Sequence, residues 1–550
     1  MARPILRKQR EDGSARIIEE DTTEEELYRY TRYRWSCNEP ENLAMRYRKF
    51  NISALLDAAV HAVGNGAKSC VKVVKCVEGQ YNKAFTIIMD NGAEVFAKIP
   101  NPNAGPAFYT TASEVATRDF LCDLPLLRTI LKLPVPPIYT YCSDPFNPVG
   151  AEYIIEEKAK GKPLGSLWYM WQKETQLGLV TRLVDFETKL TSVSFGGHGC
   201  IYYKKDLEKK AIQVYDLDAR SYSSGDLVKG SPAEEFVVGP LTEARLWEGD
   251  RAMMKLDRGP WITPISYLTA LGVNELQWAK THAKPRTNPY QSLEALETPG
   301  EYISLLERYL QLVPHLSPGP SRTSLSHPDL HLDNIFVDPD TKQITCIIDW
   351  QSVSVSGLFF QHKIPRLLLP IRSYTTRNCL KTASDGSKAT HDADGTSDLL
   401  RHYQHLTRLK NEQQWVAVTS PNRSLRIKPN SLLCGAWSRN DVFSFRHALI
   451  NIVAHWEEIT PVNAPCPIQF DPKELELHND ELEVVEGLGE VLHQLQDDNL
   501  IPLGGMVLPE NYEQALHINN TVKEMFVNMA ESESQRVLFS RIWPYQDQSL

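Results

Sequence analysis

One short stretch of the chain restricts the possible folds more than any other feature, because polar side chains crowd into otherwise apolar surroundings. It carries five side chains able to bind a cation or a proton: His327, Asp329, His331, Asp333 and Asn334. The apolar runs 335–337 and 344–348 flank the turn-forming residues 338–341, and this pattern predicts a β-hairpin. Such a hairpin would return the chain and place Asp349 beside Asn334.

Three of these side chains, Asp329, Asn334 and Asp349, suit the chemistry of phosphoryl transfer. Carboxylate and amide oxygens are the hard ligands that Mg²⁺ prefers, and a carboxylate free of metal can act as a base. The order His327-x-Asp329-x-x-x-x-Asn334, followed by Asp349, matches a kinase catalytic loop. We therefore predict that Asp329 accepts the proton of an incoming hydroxyl. Asn334 and Asp349 would hold Mg²⁺ against nucleotide phosphates, and His327 would organise the loop through hydrogen bonds.

Upstream of this stretch, residues 51–157 are predicted to form a small lobe that is rich in β-strands and contains one helix. The predicted strands are 71–77, 84–89, 94–99, 138–141 and 152–156, and the predicted helix is 110–131, with a break at Pro125. The sequence Asn91-Gly92 between the second and third strands is a strong hairpin signal, because both turn residues need positive φ.

Residues 158–550 are predicted to form a larger, mainly helical lobe, joined to the first near residues 157–163. Helical periodicity is clear around 179–190, 473–495 and 512–529. The stretch 373–397 is rich in Ser, Thr, Asp and Gly and is predicted to be a mobile insertion. The sequence therefore predicts an α+β protein of two lobes, with the catalytic loop and its hairpin, residues 325–351, in the larger lobe.

Residues 1–50 precede the small lobe as an N-terminal extension. Basic residues are frequent in positions 1–16, and acidic residues follow at 19–26. The simplest interpretation is a solvated, flexible tail. The alternative is a mitochondrial presequence, although Glu11 and Asp12 interrupt the basic run.

Composition argues against several classes of protein. The 550 residues carry a net charge of −10, which disfavours nucleic acid as a partner because phosphate backbones require a basic surface. The ten cysteines form no C-x-x-C pair, so neither a zinc ribbon nor a thioredoxin-like site is expected. Since no apolar run is long enough for a membrane-spanning helix, no transmembrane segment is predicted. The oligomeric state is left open.

The segments 327–334 and 348–350 resemble the motifs of the aminoglycoside phosphotransferase family, which has a bilobal, protein-kinase-like fold. The resemblance implies ATP and Mg²⁺ as cofactors and a small-molecule hydroxyl as the acceptor. It also assigns the remaining site residues: Gly79 in the phosphate loop, Lys98 as the phosphate contact, Glu114 as the partner of Lys98, and Glu156 and Glu157 at the hinge that binds adenine through backbone groups.

Two departures from a protein kinase are visible. Asp349 is followed by Trp350-Gln351 where a protein kinase has Phe-Gly, so a protein kinase is disfavoured. The phosphate loop, residues 78–83, has a single glycine where a protein kinase has G-x-G-x-x-G. Members of the resembled family often have glycine-poor loops, so this departure is compatible with nucleotide binding.

A narrower resemblance covers residues 30 to about 360. Five blocks, at 30–39, 46–50, 97–102, 112–117 and 327–331, are similar in order to the fungal altered-inheritance-of-mitochondria protein nine group. The resemblance implies a mitochondrial location, with the cytoplasm as the alternative.

Two other functions compete with an active phosphotransferase. A pseudokinase would keep the fold and bind a nucleotide or a protein partner without turnover, and the glycine-poor loop favours this interpretation. A metal hydrolase would use the alternating His327, Asp329, His331 and Asp333 as ligands on an extended backbone. No matching set of ligands is found elsewhere in the sequence, so we favour phosphoryl transfer.

Overall fold

The computed structural model describes residues 4–11, 17–122, 133–208, 210, 212–221, 225–226, 231–291, 296–317, 319, 322–361, 363–369, 393–460, 464–497 and 503–547. They form a small lobe built on one sheet and a large lobe of helices and short sheets. The prediction of an α+β, bilobal, kinase-like fold is confirmed.

The small lobe is built on a seven-stranded sheet with the order β2-β1-β4-β5-β6-β8-β7. The strands of this lobe are β1 (Ile5–Glu11), β2 (Ile17–Asp21), the separate short β3 (Arg34–Trp35), β4 (Cys70–Lys75), β5 (Asn82–Met89), β6 (Glu94–Pro100), β7 (Ile138–Cys142) and β8 (Tyr153–Glu157). Within the sheet, β1 and β4 are parallel and the other neighbours are antiparallel. The five predicted strands are present, and the turn of the β5–β6 hairpin contains Gly92, with φ of 82°.

The N-terminal extension is part of this lobe, so the prediction of a solvated tail is wrong for the residues described. Strand β1 pairs with β2 and β4, and its basic side chains form ion pairs with acidic side chains of β2 and of α1 (Glu24–Tyr28). Leu27 and Tyr28 are buried against Phe50 and the sheet. A second short helix, α2 (Glu39–Ala44), follows β3.

Two helices, rather than the one predicted, pack against the sheet. Helix α3 (Ile52–Val63) begins at Asn51, whose side chain accepts a hydrogen bond from the Ala54 N–H. Helix α4 (Tyr109–Cys122) begins one residue before the predicted start and is buried along most of its length. Residues 123–131 of the predicted helix lie outside the described residues.

The large lobe is mainly helical, as predicted. Its helices are α5 (Lys173–Thr191), α6 (Lys204–Glu208), α7 (Pro264–His282), α8 (Pro299–Leu316), α9 (Leu358–Gln361), α10 (Ala393–Lys410), α11 (Glu412–Val418), α12 (Arg423–Leu432), α13 (Val442–Ala454), α14 (Trp456–Ile459), α15 (Pro472–Asp497), α16 (Tyr512–Asn528) and α17 (Glu533–Ile542). The three helices predicted from periodicity correspond to α5, α15 and α16. Of the predicted insertion 373–397, residues 373–392 lie outside the described residues and residues 393–397 begin α10.

The remaining strands are short and follow β8 in the chain. They are β9 (Lys162–Pro163), β10 (Val193–Phe195), β11 (Cys200–Tyr203), β12 (Tyr215–Asp216), β13 (Ala219–Ser221), β14 (Gly225–Asp226), β15 (Phe236–Gly239), β16 (Arg286–Thr287), β17 (Leu296–Glu297), β18 (Thr323–Leu325), β19 (Ile335–Val337), β20 (Ile344–Ile347), β21 (Val355–Gly357) and β22 (Met506–Val507). Strands β19 and β20 form the predicted hairpin, with Ile335 opposite Ile347. This register places Ile348, the residue after β20, beside Asn334, the residue before β19.

Four hydrophobic clusters support the two lobes. One lies beneath the small-lobe sheet, and two fill the large lobe, around α5 with Trp350 and around α7 with α8. The fourth joins α15, α16 and α17 around Trp543, which is 1% exposed. From this cluster the chain reaches the small lobe, because β22 pairs with β3.

Among the described residues, no helix is both long and apolar enough to cross a bilayer. The nine described cysteines are free thiols. Neither disulfide bonds nor a spanning helix therefore contributes to the fold of the described residues.

Candidate active site

Three charged side chains from distant parts of the chain meet between the lobes. The Lys98 Nζ on β6 donates to both carboxylate oxygens of Glu114 on α4, at 3.0 and 2.9 Å. It also donates to Asp349 Oδ1, just beyond β20, at 3.0 Å. Although burial acts to lower it, the carboxylates of Glu114 and Asp349 raise the pKa of Lys98 above its ordinary value. Lys98 is therefore firmly cationic and centred between two carboxylates.

A buried Arg–Glu pair extends this network into the sheet. Arg118 lies one turn along α4 from Glu114, and its Nη1 is 3.6 Å from Glu114 Oε1 and 2.5 Å from Glu156 Oε2. Its Nη2 donates to the Pro136 carbonyl at 2.6 Å. Glu114 is thus held from two sides, which fixes the carboxylate that orients Lys98. Sequence reasoning missed Arg118, and the i, i+4 spacing from Glu114 was its one signal.

Glu156 lies inside the strand that the sequence predicts over 152–156, just before the connection between the lobes. It lies within β8, opposite Phe96 of β6 on one side and Ile138 of β7 on the other. Its carboxylate is directed to Arg118, and burial raises its pKa above the ordinary value even though Arg118 opposes this. The Glu157 N–H donates to the Pro137 carbonyl at 2.9 Å. The strand ends at Glu157, where the connection between the lobes begins, and adenine binding by the backbone of Glu156 and Glu157 stays a prediction.

His327 fixes the loop that carries Asp329. Its Nδ1 accepts from the Asp329 N–H at 3.2 Å, so Nε2 is the protonated nitrogen and donates to the Ile348 carbonyl at 2.9 Å. Burial lowers the pKa of His327 to about 4, so the ring is neutral at physiological pH. The Ile348 N–H in turn donates to the Asn334 carbonyl at 3.0 Å. These bonds join the loop to the residue before Asp349 and place Asn334 beside it.

Asp329 faces open space beside two basic groups. Its side chain is 41% exposed, and its oxygens lie 3.7 Å from His331 Nε2 and 3.8 Å from Arg366 Nε. The Asn334 Nδ2 donates to the Asp329 carbonyl at 3.0 Å, which fixes the backbone beneath the carboxylate. Arg366 was missed because it lies well downstream of the loop in sequence and belongs to no motif.

Gln351 joins the end of the hairpin to the small lobe. Its Oε1 accepts from Asn82 Nδ2 at 2.9 Å, where the phosphate loop enters β5. Its Nε2 donates to the Ala104 carbonyl at 2.8 Å, in the connection before α4. Gly79 lies at the exposed tip of the phosphate loop, where a Cβ would meet open space. The residue that replaces the kinase glycine after Asp349 thus contacts the loop that would cover the phosphates.

The donor set suits a hard cation. Because the Asn334 amide nitrogen is engaged, its oxygen is the atom able to ligate a metal, beside the Asp349 carboxylate. Two protein oxygens, with phosphate oxygens and water completing the shell, are typical of Mg²⁺ at a nucleotide. Elsewhere among the described residues, His, Cys, Asp and Glu side chains form no group of three or more able to hold a metal ion. Since both His327 nitrogens are engaged, the geometry does not favour the metal-hydrolase alternative.

The family model of the phosphotransferase enzyme family, APH, matches residues 73–357. The matched span begins within β4 and contains β5 to β8, α4, the predicted catalytic loop and the β19–β20 hairpin. The chain belongs to this phosphotransferase family. This match confirms the family predicted from the sequence. The network around Lys98 therefore lies in a protein of that family.

Individual relatives agree with this assignment. A subtelomeric hrmA-associated cluster protein of Aspergillus fumigatus is 31% identical over 527 residues, covering 87% of this chain and 97% of that protein. The mitochondrial altered inheritance of mitochondria protein 9 of Yarrowia lipolytica is 23% identical and covers 83% of this chain and 81% of its own length. The narrower resemblance predicted from the sequence is thus confirmed. Among solved structures, an ethanolamine kinase of Plasmodium vivax is 12% identical with a TM-score of 0.34, covering 82% of this chain and 97% of that chain.

Proposed function

We propose that this protein transfers the γ-phosphoryl group of ATP to a hydroxyl of a small molecule in a Mg²⁺-dependent reaction. The observation that supports this most strongly is the contact of Lys98 with both Glu114 and Asp349 across the two lobes. The three side chains come from different elements. An ion pair that only stabilised the fold would need two of them and not all three. A lysine oriented by Glu114 in this way is placed to neutralise phosphate charge, and preorganised charge is the main source of catalysis in phosphoryl transfer.

The proposed roles follow from the geometry. Asp329 is the base, because it is exposed and free to approach an incoming hydroxyl. Asn334 and Asp349 would ligate Mg²⁺, which would supply charge neutralisation at the phosphates. Lys98 would contact the phosphates, and Glu114 would orient it. Gly79 and the loop around it would lie over the phosphates, and the connection after Glu157 would meet the adenine.

We propose the lobe boundary at residues 157–158, with the nucleotide bound mainly by the preceding residues and the acceptor by the following ones. The base is in the large lobe, so the acceptor must bind there. Arg366 and His331, which flank Asp329, are the nearest groups described that could contact the acceptor. The chemical identity of the acceptor is left to a metabolite screen.

A pseudokinase is the second candidate, and one observation favours it. Asp349, the proposed metal ligand, is paired with Lys98 Nζ at 3.0 Å. A protein that never released this pair would keep the fold without turnover. The phosphate loop, which has one glycine, is compatible with the same interpretation.

Thermal unfolding with ATP, with and without Mg²⁺, tests nucleotide binding directly, because a ligand that binds only the folded state raises the melting temperature. We expect a Mg²⁺-dependent increase in the wild type that is lost in Lys98→Ala and in Asp349→Ala. Lys72→Ala is the matched control, since Lys72 is a lysine on β4 of the same sheet and pairs with Glu19. If ATP and other nucleotides leave the wild-type melting temperature unchanged, the proposal fails and the search turns to protein partners.

A mitochondrial location is proposed from the relatives alone. The names of the Yarrowia lipolytica and Saccharomyces cerevisiae relatives include the word mitochondrial. The basic residues of β1 do not add support, because they are paired with acidic side chains in the sheet. Fractionation of cells that express the full chain tests this, and recovery in the cytosolic fraction would favour the alternative location.

A further inference from the structure

The phosphate loop is held by the N-terminal segment of residues 26–46, which lies outside the matched family span. The loop connects β4 to β5, and its carboxylate Glu78 is 1% exposed. Glu78 pairs with Lys75 Nζ at 3.0 Å and with Lys83 Nζ at 2.9 Å. Two buried ammonium groups thus face a single carboxylate, and the cluster needs further partners.

The N-terminal segment supplies those partners. Lys75 Nζ donates to the carbonyls of Glu26 and Arg29, at 2.9 and 2.6 Å, and Lys83 Nζ donates to the Arg29 carbonyl at 3.0 Å. Thr31 donates to the Glu78 carboxylate through its N–H at 2.7 Å and its hydroxyl at 3.0 Å. The buried charges of the loop are therefore solvated by backbone and side-chain groups of the extension.

The same segment also holds the rest of the loop. Arg32 Nη1 donates to the Glu78 carbonyl at 3.1 Å. Arg46 donates to Gln80 Oε1 through Nε and Nη2, at 3.2 and 2.9 Å, and Gln80 Nε2 donates to the Tyr30 hydroxyl at 3.3 Å. On both sides of Gly79, side chains of the extension thus fix the loop.

We propose that residues 26–46 are a positioning element of the nucleotide site, with Thr31, Arg32 and Arg46 setting the conformation of the phosphate loop. This inference rests on the proposed nucleotide binding. A glycine-rich loop reaches its phosphate-binding conformation through backbone freedom, and glycine is entropically costly to order. Here the loop has one glycine, and hydrogen bonds from a separate segment hold it instead. The extension thereby lowers the cost of ordering the loop around a nucleotide.

The test compares Thr31→Val/Arg32→Ala with Arg29→Ala as the matched control. The double variant removes the Thr31 hydroxyl and the Arg32 guanidinium that bond to Glu78, and it keeps the Lys75–Glu78–Lys83 cluster. The Arg29 guanidinium pairs with the exposed Glu25, so its removal spares the loop, and its backbone carbonyl remains. Two measurements are made on the full chain: hydrogen exchange of the amides of residues 78–81 without nucleotide, and the dissociation constant of Mg·ATP.

We expect the double variant to exchange faster at residues 78–81 with unchanged exchange in β6 and α4. Its affinity for Mg·ATP should fall by about tenfold, the ratio that corresponds to the loss of roughly one hydrogen bond to a charged group. If turnover is measurable, KM for ATP should rise with kcat little changed, whereas a general loss of folded protein would lower both activity and melting temperature. Arg29→Ala should match the wild type in every measurement.

Each contrary result has a distinct meaning. Unchanged exchange at residues 78–81 would overturn the positioning role whatever the nucleotide does. Faster exchange with unchanged Mg·ATP affinity would show that the extension holds the loop and that the loop does not position the nucleotide, which also overturns the inference. If the wild type itself does not bind Mg·ATP, the proposed function fails, and the exchange data separately show whether the extension holds the loop.

Discussion

Asp349 has an unusual backbone conformation, and its carboxylate has two possible partners, Lys98 and a metal ion. Its φ of 63° lies in the left-handed region, which non-glycine residues rarely adopt. The Ile348 N–H and carbonyl, one residue earlier, are bonded to Asn334 and His327, so this backbone is held by its neighbours. The conformation directs the carboxylate to Lys98, and a metal-bound nucleotide would have to separate the two. Binding of Mg²⁺ and release of Lys98 are therefore expected to occur together.

Asp329→Asn tests the proposed base. The amide keeps the size of the side chain but cannot accept the hydroxyl proton, so we expect turnover to fall by at least about 100-fold with little change in Mg·ATP affinity. Asp333→Asn is the matched control, because Asp333 is exposed in the same loop. Steady-state kinetics with an accepted substrate and nucleotide titration measure the two effects. Full turnover in Asp329→Asn would exclude it as the base.

The buried carboxyl of Glu187 is expected to make the stability of the fold depend on pH. This effect is independent of the candidate active site. It is buried on α5 and accepts hydrogen bonds from Tyr403 and Gln414, and burial raises its pKa to about 7. A carboxyl whose pKa is raised on folding stabilises the protein while it is protonated. Stability from this group is therefore present below about pH 4.5 and is lost as the pH rises through about 7.

Glu187→Gln removes this titration and retains a side chain that can accept both hydrogen bonds. We expect it to raise the free energy of unfolding at pH 8 by up to about 3 kcal/mol, at about 1.4 kcal/mol per pKa unit, with a smaller effect at pH 5. Urea unfolding at the two pH values measures the difference. An equal effect at both pH values would contradict the assigned titration.

Among the elements, the β19–β20 hairpin was the most predictable. Apolar runs on both sides of a turn sequence specify it locally, and its register then determines where Asp349 lies. The five predicted strands of the small lobe, β4 to β8, follow from the same kind of local pattern. Strand β1 was missed because none of its residues is fully buried, so it has no apolar alternation to detect. Its place in the sheet depends on ion pairs with β2 and α1. No local sequence pattern relates the charges of these elements to one another.

The candidate active site likewise contains residues that the sequence predicts and residues that it does not. Lys98, Glu114, Asn334 and Asp349 could be placed from motif order alone. Arg118, Arg366 and the pairing of Arg118 with Glu156 could not, because each depends on contacts between residues far apart in sequence. The missed groups surround the predicted ones and determine their orientation.

At the scale of elements, Gln351→Ala should loosen the hairpin from the small lobe. It removes the hydrogen bonds to Asn82 and Ala104, each worth about 1 kcal/mol. We expect a lower melting temperature and an affinity for Mg·ATP reduced by several fold, because the lobes are held together less tightly. Gln343→Ala, an exposed glutamine just before β20, is the control. Equal behaviour of the two variants would show that Gln351 does not join the lobes.

In the whole molecule, the C-terminal residues connect the large lobe to the small lobe. The fourth cluster contains Tyr290 of the large lobe and Cys37 beside β3, and the Asn38 N–H donates to the Asp547 carboxylate at 2.6 Å. The Gln80 side chain of the phosphate loop also contacts Met506 Sδ at 3.3 Å. The C-terminal residues therefore link the large lobe to the N-terminal extension and to the phosphate loop.

Trp543→Ala should weaken this link. Trp543 is almost completely buried and donates to Asn519 Oδ1 at 2.9 Å. Truncation of such a buried side chain to alanine lowers the free energy of unfolding by about 3–5 kcal/mol. We expect faster proteolysis after residue 503, measured by limited digestion, whereas Phe146→Ala, which alters an exposed aromatic side chain, should behave as the wild type. Unchanged digestion in Trp543→Ala would show that the cluster is not what holds the C-terminal residues.

The pairing of the two terminal regions also sets an order of events during translation. Glu39 and Tyr512 are in contact although 473 residues separate them, and the ribosome adds about 5–20 residues per second. Every proposed catalytic and metal-binding residue is therefore synthesised well before the chain that completes the edge of the phosphate loop. For roughly 10–30 s after Asp349 is made, the nascent protein carries the proposed catalytic residues without the C-terminal contacts of the phosphate loop. Completion of the proposed nucleotide pocket is therefore among the last steps in making the protein.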